Sequence, residues 1–219
     1  MEQLHKFYNE INKLPTKMGS IVPPQQKFLI NYLQDNPNIK QVLETGFHKG
    51  LSAAVMMTAR EDIEVSSVDI LWFDYTRRAK LLLDIYYPQR HLLLAGNSVN
   101  SLPVFFKRFP HYKPDLVFID GGHERPVPFI DLYFILKNIP EGTHIIIDDY
   151  CKEHGEGGVI EAVDEFIANG YIENIKVYAA RDRGWISGRR SNKPVEDSEK
   201  VSNEELQKLC KDVESHYPE

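Results

Sequence analysis

Short apolar runs alternate along the chain with longer segments whose apolar residues recur every three or four positions. The runs cover residues 41–44, 65–69, 91–95, 115–120 and 144–148. They are strand-length and nearly continuous in apolar residues, as strands covered on both faces should be. Helical patterns lie between and after them, at 50–60, 76–87, 98–108, 126–137 and 157–169. Two more open the chain, at 2–13 and 22–35. Pro23 and Pro24 fall in the first turn of the second, where proline is tolerated, and Asn36-Pro37 ends it.

Strand–helix alternation predicts an α/β fold with a mainly parallel, doubly wound sheet and helices on both faces. The rhythm changes at its end. Residues 172–180 and 184–190 are two further strand candidates with too few residues between them for a helix. They predict an antiparallel hairpin that closes a seven-stranded sheet. Residues 1–190 then read as one domain, with the helices of 1–36 over the active site. Residues 191–219 read as a polar linker followed by a terminal helical pattern.

Composition narrows the class. A chain of 219 residues, 42% hydrophobic and 26% charged, can bury a core of useful size. Its net charge of −6, with no long basic block, argues against nucleic acid and anionic membranes as partners. No run approaches the roughly 18 apolar residues of a membrane span, and the first residues lack the apolar region of a secretory signal. Cys151 and Cys210 are too few for a disulfide scaffold, so a reduced, cytoplasmic setting is expected. The sequence leaves a homo-oligomer open.

The chemistry gathers where the predicted strands end. The first ends in Glu44-Thr-Gly46-Phe-His-Lys-Gly50. Glycines between a strand and a helix permit positive φ and close backbone approach, and the helix that follows offers unpaired N–H groups. The dinucleotide fingerprint G-x-G-x-x-G is incomplete here, which counts against a nicotinamide-dependent oxidoreductase. The second strand ends at Asp69, where an acid can accept hydrogen bonds from both hydroxyls of a ribose.

Asp120 and Asp148 end the fourth and fifth strands, and Asp149 follows at once. Neighbouring strands lie about 4.8 Å apart, so three carboxylates would converge at the ligand-binding edge of the sheet. Such a cluster raises pKa values or calls for a cation, and Mg²⁺ takes oxygen ligands of this kind. His123, three residues beyond Asp120, is a candidate general base. His154 lies in a glycine-bearing loop, 152–158, that could fold over a substrate. Arg181, Arg183 and Trp185 fall in or beside the terminal hairpin, near where an acceptor would sit.

In order and placement these motifs resemble class I S-adenosylmethionine-dependent methyltransferases over roughly residues 40–190. E-x-G-x-x-x-G looks like their first motif, and Asp69 falls where that family places its ribose acid. The segment Ala95-Gly96-Asn97-Ser98 resembles the one that contacts adenine, with Asn97 where an aspartate is frequent. Asp115–His123 resembles the fourth motif. The resemblance implies a Rossmann-like fold and a cofactor site of Glu44, Gly46, Gly50, Ser52, Asp69, Gly96, Asn97, Ser98 and Asp120.

The acid trio is similar to that of metal-dependent O-methyltransferases, both the catechol type and the antibiotic-sugar (macrocin) type. The run Ile145-Ile-Ile-Asp-Asp-Tyr150 with the 155–166 segment is closer to the latter. That resemblance implies S-adenosylmethionine and Mg²⁺ as cofactors, with the metal on Asp120, Asp148 and Asp149. It implies Asp120 or His123 as the proton acceptor, and a sugar or other small hydroxylated molecule as substrate. A non-catalytic binding domain of the same fold is the remaining alternative.

Overall fold

The five apolar runs are the parallel strands of one sheet. The structure is a computed structural model that describes residues 1–15, 20–124, 126–151, 157–180 and 183–196. Among them the parallel strands are β1 (Gln41–Thr45), β2 (Glu64–Asp69), β3 (His91–Ala95), β4 (Leu116–Ile119) and β5 (His144–Ile147). β6 (Ile172–Ala180) and β7 (Arg183–Arg190) form the closing hairpin, and β7 runs antiparallel to β5. The order across the sheet is β3-β2-β1-β4-β5-β7-β6. The chain moves outward from β1 to β3 and then returns to β4, so β1 and β4 flank the point where the winding reverses. Sheets of this kind bind ligands at that point, beyond the carboxyl ends of the strands.

The helices are α1 (Glu2–Ile11), α2 (Pro23–Asp35), α3 (Leu51–Ala59), α4 (Asp74–Tyr86), α5 (Ser98–Arg108), α6 (Val127–Asn138) and α7 (Gly157–Ala168). They build a core on each face of the sheet. One face packs α1–α4 through residues such as Phe7, Leu29, Met56 and Leu83. The other packs α5–α7 through Leu102, Leu136, Val163 and Phe166. Every residue of β4 and of β5 is buried, which explains their unbroken apolar runs. β6 is an edge strand, and its residues are mostly exposed or half-buried. No helix among the described residues is long and apolar enough to cross a membrane. The predicted terminal helix, His154 and Arg181 lie outside the described residues.

Candidate active site

The two strand ends at the reversal point touch. Gly46, just past β1, has φ +85°, and a Cβ there would strike the carbonyl oxygen of Asp120, just past β4. Only glycine allows that approach. Gly50 has φ +71° and begins α3, with the Phe47 ring packed where a side chain would stand. Between them His48 also has positive φ, +49°.

Backbone bonds from the turn explain how it is held. Gly46 donates to the carbonyl of Val68 at 2.9 Å. Phe47 and His48 donate to Asp69 Oδ2 at 2.9 and 2.8 Å, and Leu71 donates to Oδ1 at 2.6 Å. Three of the roughly four acceptor positions of the Asp69 carboxylate thus organise backbone, and a bound ribose would share what is left. Lys49, almost fully buried, donates from Nζ to the carbonyls of Leu14 at 3.0 Å and Ile11 at 3.3 Å. A cation at the end of α1 suits the helix dipole and ties the N-terminal segment to the turn.

Glu44 lies beneath the turn. It is fully buried, and Ser52 and Ser67 donate to its two oxygens. Burial pushes its carboxyl up to about 7, against the pull of the two hydroxyls. Asn97 caps α5, with Oδ1 accepting the Val99 N–H at 3.1 Å.

At the other end of the site stand the acids. Asp120 follows β4, and Asp148 follows β5, its N–H donating to Ile119 at 2.9 Å. Asp149 is held at φ +56°. Its Oδ2 lies 2.9 Å from His123 Nε2, and its Oδ1 accepts from Arg183 Nη1 at 2.8 Å. Burial raises Asp149, but His123 and Arg183 outweigh it and hold the carboxyl below its usual range. Asp148 is pushed up to about 7 by burial and by Asp149. Asp120 is raised well above the usual range by burial first, then by Asp148 and Asp149.

One ligand atom each from Asp120, His123 and Asp149 lie within 4.8 Å of one another. In octahedral coordination at 2.0–2.1 Å, adjacent ligand atoms stand about 2.9 Å apart, so the His123–Asp149 spacing suits two neighbouring ligands. The donor set therefore fits a divalent cation. It differs from the expected set in one member. Asp148 stands beside the tight group, and its Oδ1 accepts from the N–H of Asp149 at 2.7 Å and from the side-chain amide of Gln25.

A single cavity of about 670 Å³ joins the two ends. Gly46, Ser52, Asp69, Asn97 and Ser98 line it on one side, and Asp120, His123, Asp148, Asp149 and Arg183 on the other. Glu44, Gly50 and Gly96 stand behind its wall rather than on it. Trp185 is buried in the core among α2 and the closing hairpin, away from this surface. Gln25 and Lys49 escaped sequence reading. Both bond to atoms far along the chain, and nothing in their neighbours signals it.

A family model described as a methyltransferase domain matches residues 43–150. No curated protein matches the chain. Among solved structures, an O-methyltransferase from Bacillus cereus in complex with S-adenosylhomocysteine superposes with a TM-score of 0.71 at 17% identity, covering 87% of this chain and 91% of that one. The O-methyltransferase TomG from Streptomyces achromogenes, in complex with S-adenosylmethionine, gives 0.69 at 17% identity, covering 88% and 91%. A methyltransferase from Podospora anserina bound to S-adenosylhomocysteine gives 0.66 at 18%, covering 88% and 89%. Identities this low establish a shared fold. The domain match over residues 43–150 and the shared fold over most of the chain make this protein similar to methyltransferases.

Proposed function

We propose that the protein is an S-adenosylmethionine-dependent O-methyltransferase. Its acceptor is a hydroxyl of a sugar or another small hydroxylated molecule, and a divalent cation, Mg²⁺ for an all-carboxylate set, assists it. The observation that carries this reading is the continuous cavity of about 670 Å³, with the glycine turn at one end and the carboxylates at the other. Donor and acceptor can lie in it end to end, and alignment supplies much of the acceleration in a direct transfer. The Bacillus and Streptomyces proteins are O-methyltransferases with cofactor or product bound, which supports oxygen as the accepting atom.

S-adenosylmethionine, when bound, supplies a methyl group already activated by its sulfonium. A bound divalent cation supplies Lewis-acid stabilisation of the developing alkoxide and a template for adjacent hydroxyls. The protein's own groups do the rest. The Gly46 turn and Asp69 would seat the cofactor, and Asp120, Asp148 and Asp149 would hold the cation. In its neutral form the His123 ring donates Nε2–H to Asp149, 2.9 Å away, so Nδ1 carries the lone pair. That nitrogen takes the proton of the acceptor hydroxyl.

A second reading rests on the tight group of Asp120, His123 and Asp149. There His123 is a ligand rather than a base, and an imidazole in the set favours Mn²⁺, Fe²⁺ or Zn²⁺ over Mg²⁺. Transfer from labelled S-adenosylmethionine to a panel of sugars and catechols, after EDTA and then with each metal restored, tests both. Best restoration by Mg²⁺ supports His123 as base, and restoration by the softer metals alone supports it as ligand. Transfer that EDTA leaves unchanged removes the cation from the mechanism.

A further inference from the structure

We infer that Gln25, on α2, is a positioning residue for the cation site: it holds Asp148 in place from outside the domain's central sheet. This rests on the cation site proposed above. Gln25 is 1% exposed, in the first turn of α2. Its Oε1 accepts the N–H of Val22 at 3.3 Å, and its Nε2 donates to Asp148 Oδ1. The first bond fixes which end of the amide faces which way, so an N–H and not a carbonyl meets the acid. Both hydrogen bonds that Asp148 accepts go to Oδ1, from Gln25 and from the N–H of Asp149. Among the described residues, Oδ2 is the oxygen left for a ligand.

The helix is braced for this task. Tyr32, seven residues further along α2, pairs through its hydroxyl with His144 Nδ1 at 2.8 Å, and His144 begins the strand that ends before Asp148. The helix thus runs antiparallel to β5 and is pinned to it at both ends. Seven helical residues span about 10 Å and four strand residues about 13 Å, so the two pairs are in register. Phe28 lies between them, packed on Tyr178 at 4.5 Å and Trp185 at 5.5 Å between ring centroids. α2 is therefore a splint along β5, and its upper end sets the orientation of a carboxylate at the site. Groups that orient metal ligands in this way typically change metal affinity 10–100-fold when removed.

The test is a Mn²⁺ titration of the full chain with S-adenosylhomocysteine present, read by the electron paramagnetic resonance of free Mn²⁺. Wild type is compared with Gln25→Met, which keeps the shape and loses the donor, and with Tyr32→Phe, which loosens the same helix away from the acids. The inference predicts that Gln25→Met raises the Mn²⁺ Kd about tenfold or more. Tyr32→Phe should raise it less than Gln25→Met does, and the S-adenosylhomocysteine Kd of both variants should stay within about twofold. A Mn²⁺ Kd for Gln25→Met within twofold of wild type overturns it. So does a parallel loss of S-adenosylhomocysteine binding, which marks general damage. A wild type that takes up no Mn²⁺ overturns the cation site itself and this inference with it, and that result is visible before any variant is made.

Discussion

His123 Nε2 and Asp149 Oδ2 lie 2.9 Å apart, although the two residues come from different strand–helix connections. Arg183 reaches the other oxygen of the same carboxylate at 2.8 Å from β7. Asp149 is thus the meeting point of β4, β5 and β7, held at φ +56° so that its side chain faces both neighbours. With the Arg183 contact on Oδ1, Oδ2 is the oxygen that a cation would share with Asp120.

Asp149→Asn removes the charge and keeps the shape. It should lower cation-stimulated methyl transfer at least about 100-fold, the upper end of what outer-shell losses alone cost. Binding of S-adenosylhomocysteine, measured by calorimetry, should stay within about twofold. A variant that retains stimulation by the cation would remove Asp149 from the site.

Gly46→Ala should abolish cofactor binding. The added carbon collides with a backbone oxygen of Asp120, not with the tip of a flexible side chain, and the residue sits at φ +85°. Relief needs β1 and β4 to part at their ends, which opens the seat of the cofactor. Calorimetry that finds undiminished S-adenosylmethionine binding would contradict the placement.

Asp69→Ala should both loosen the protein and weaken the cofactor. It strips the acceptor from the N–H groups of Phe47, His48 and Leu71. Leaving half-buried donors unpaired costs about 1–3 kcal/mol, seen as a lower midpoint in urea. The S-adenosylmethionine Kd should rise about tenfold or more, which corresponds to 1.4 kcal/mol or more. An unchanged Kd in a destabilised variant would confine Asp69 to holding the turn.

The fourth prediction concerns pH. Burial raises the Glu44 carboxyl from its ordinary 4.5 to about 7. A group raised on folding contributes stability that is full below its unfolded value and is lost as pH climbs through its folded value. Wild type should therefore lose stability between about pH 4.5 and pH 7 through this residue, on the order of 3 kcal/mol. Glu44→Gln has no such proton. The gap between the two urea midpoints should shift in the variant's favour as pH rises through that window. Parallel curves would show that Glu44 does not titrate there.

The order of elements was readable in the sequence because period is a local property. Buried strands such as β5 spell unbroken apolar runs, and Pro23 and Pro24 mark the start of α2 at N1 and N2. That Asp120, Asp148 and Asp149 would come to one cavity was readable, since neighbouring parallel strands bring their carboxyl ends together. The orientation of each carboxylate was not. It depends on Gln25, which meets Asp148 across 123 positions, and on Arg183, which arrives through the antiparallel hairpin. Glu44 shows the same limit: its place in β1, two residues before Gly46, suggested contact with the cofactor. Its bonds to Ser52 and Ser67 instead tie the turn to β2 from below.

The most direct measurement is a crystal structure grown with S-adenosylhomocysteine and Mn²⁺, collected where manganese scatters anomalously. A peak bonded to Asp120 and Asp149, beside the sulfur of the cofactor product, is the predicted result. An empty anomalous map, with the Arg183 guanidinium and His123 still closing on Asp149, would contradict it.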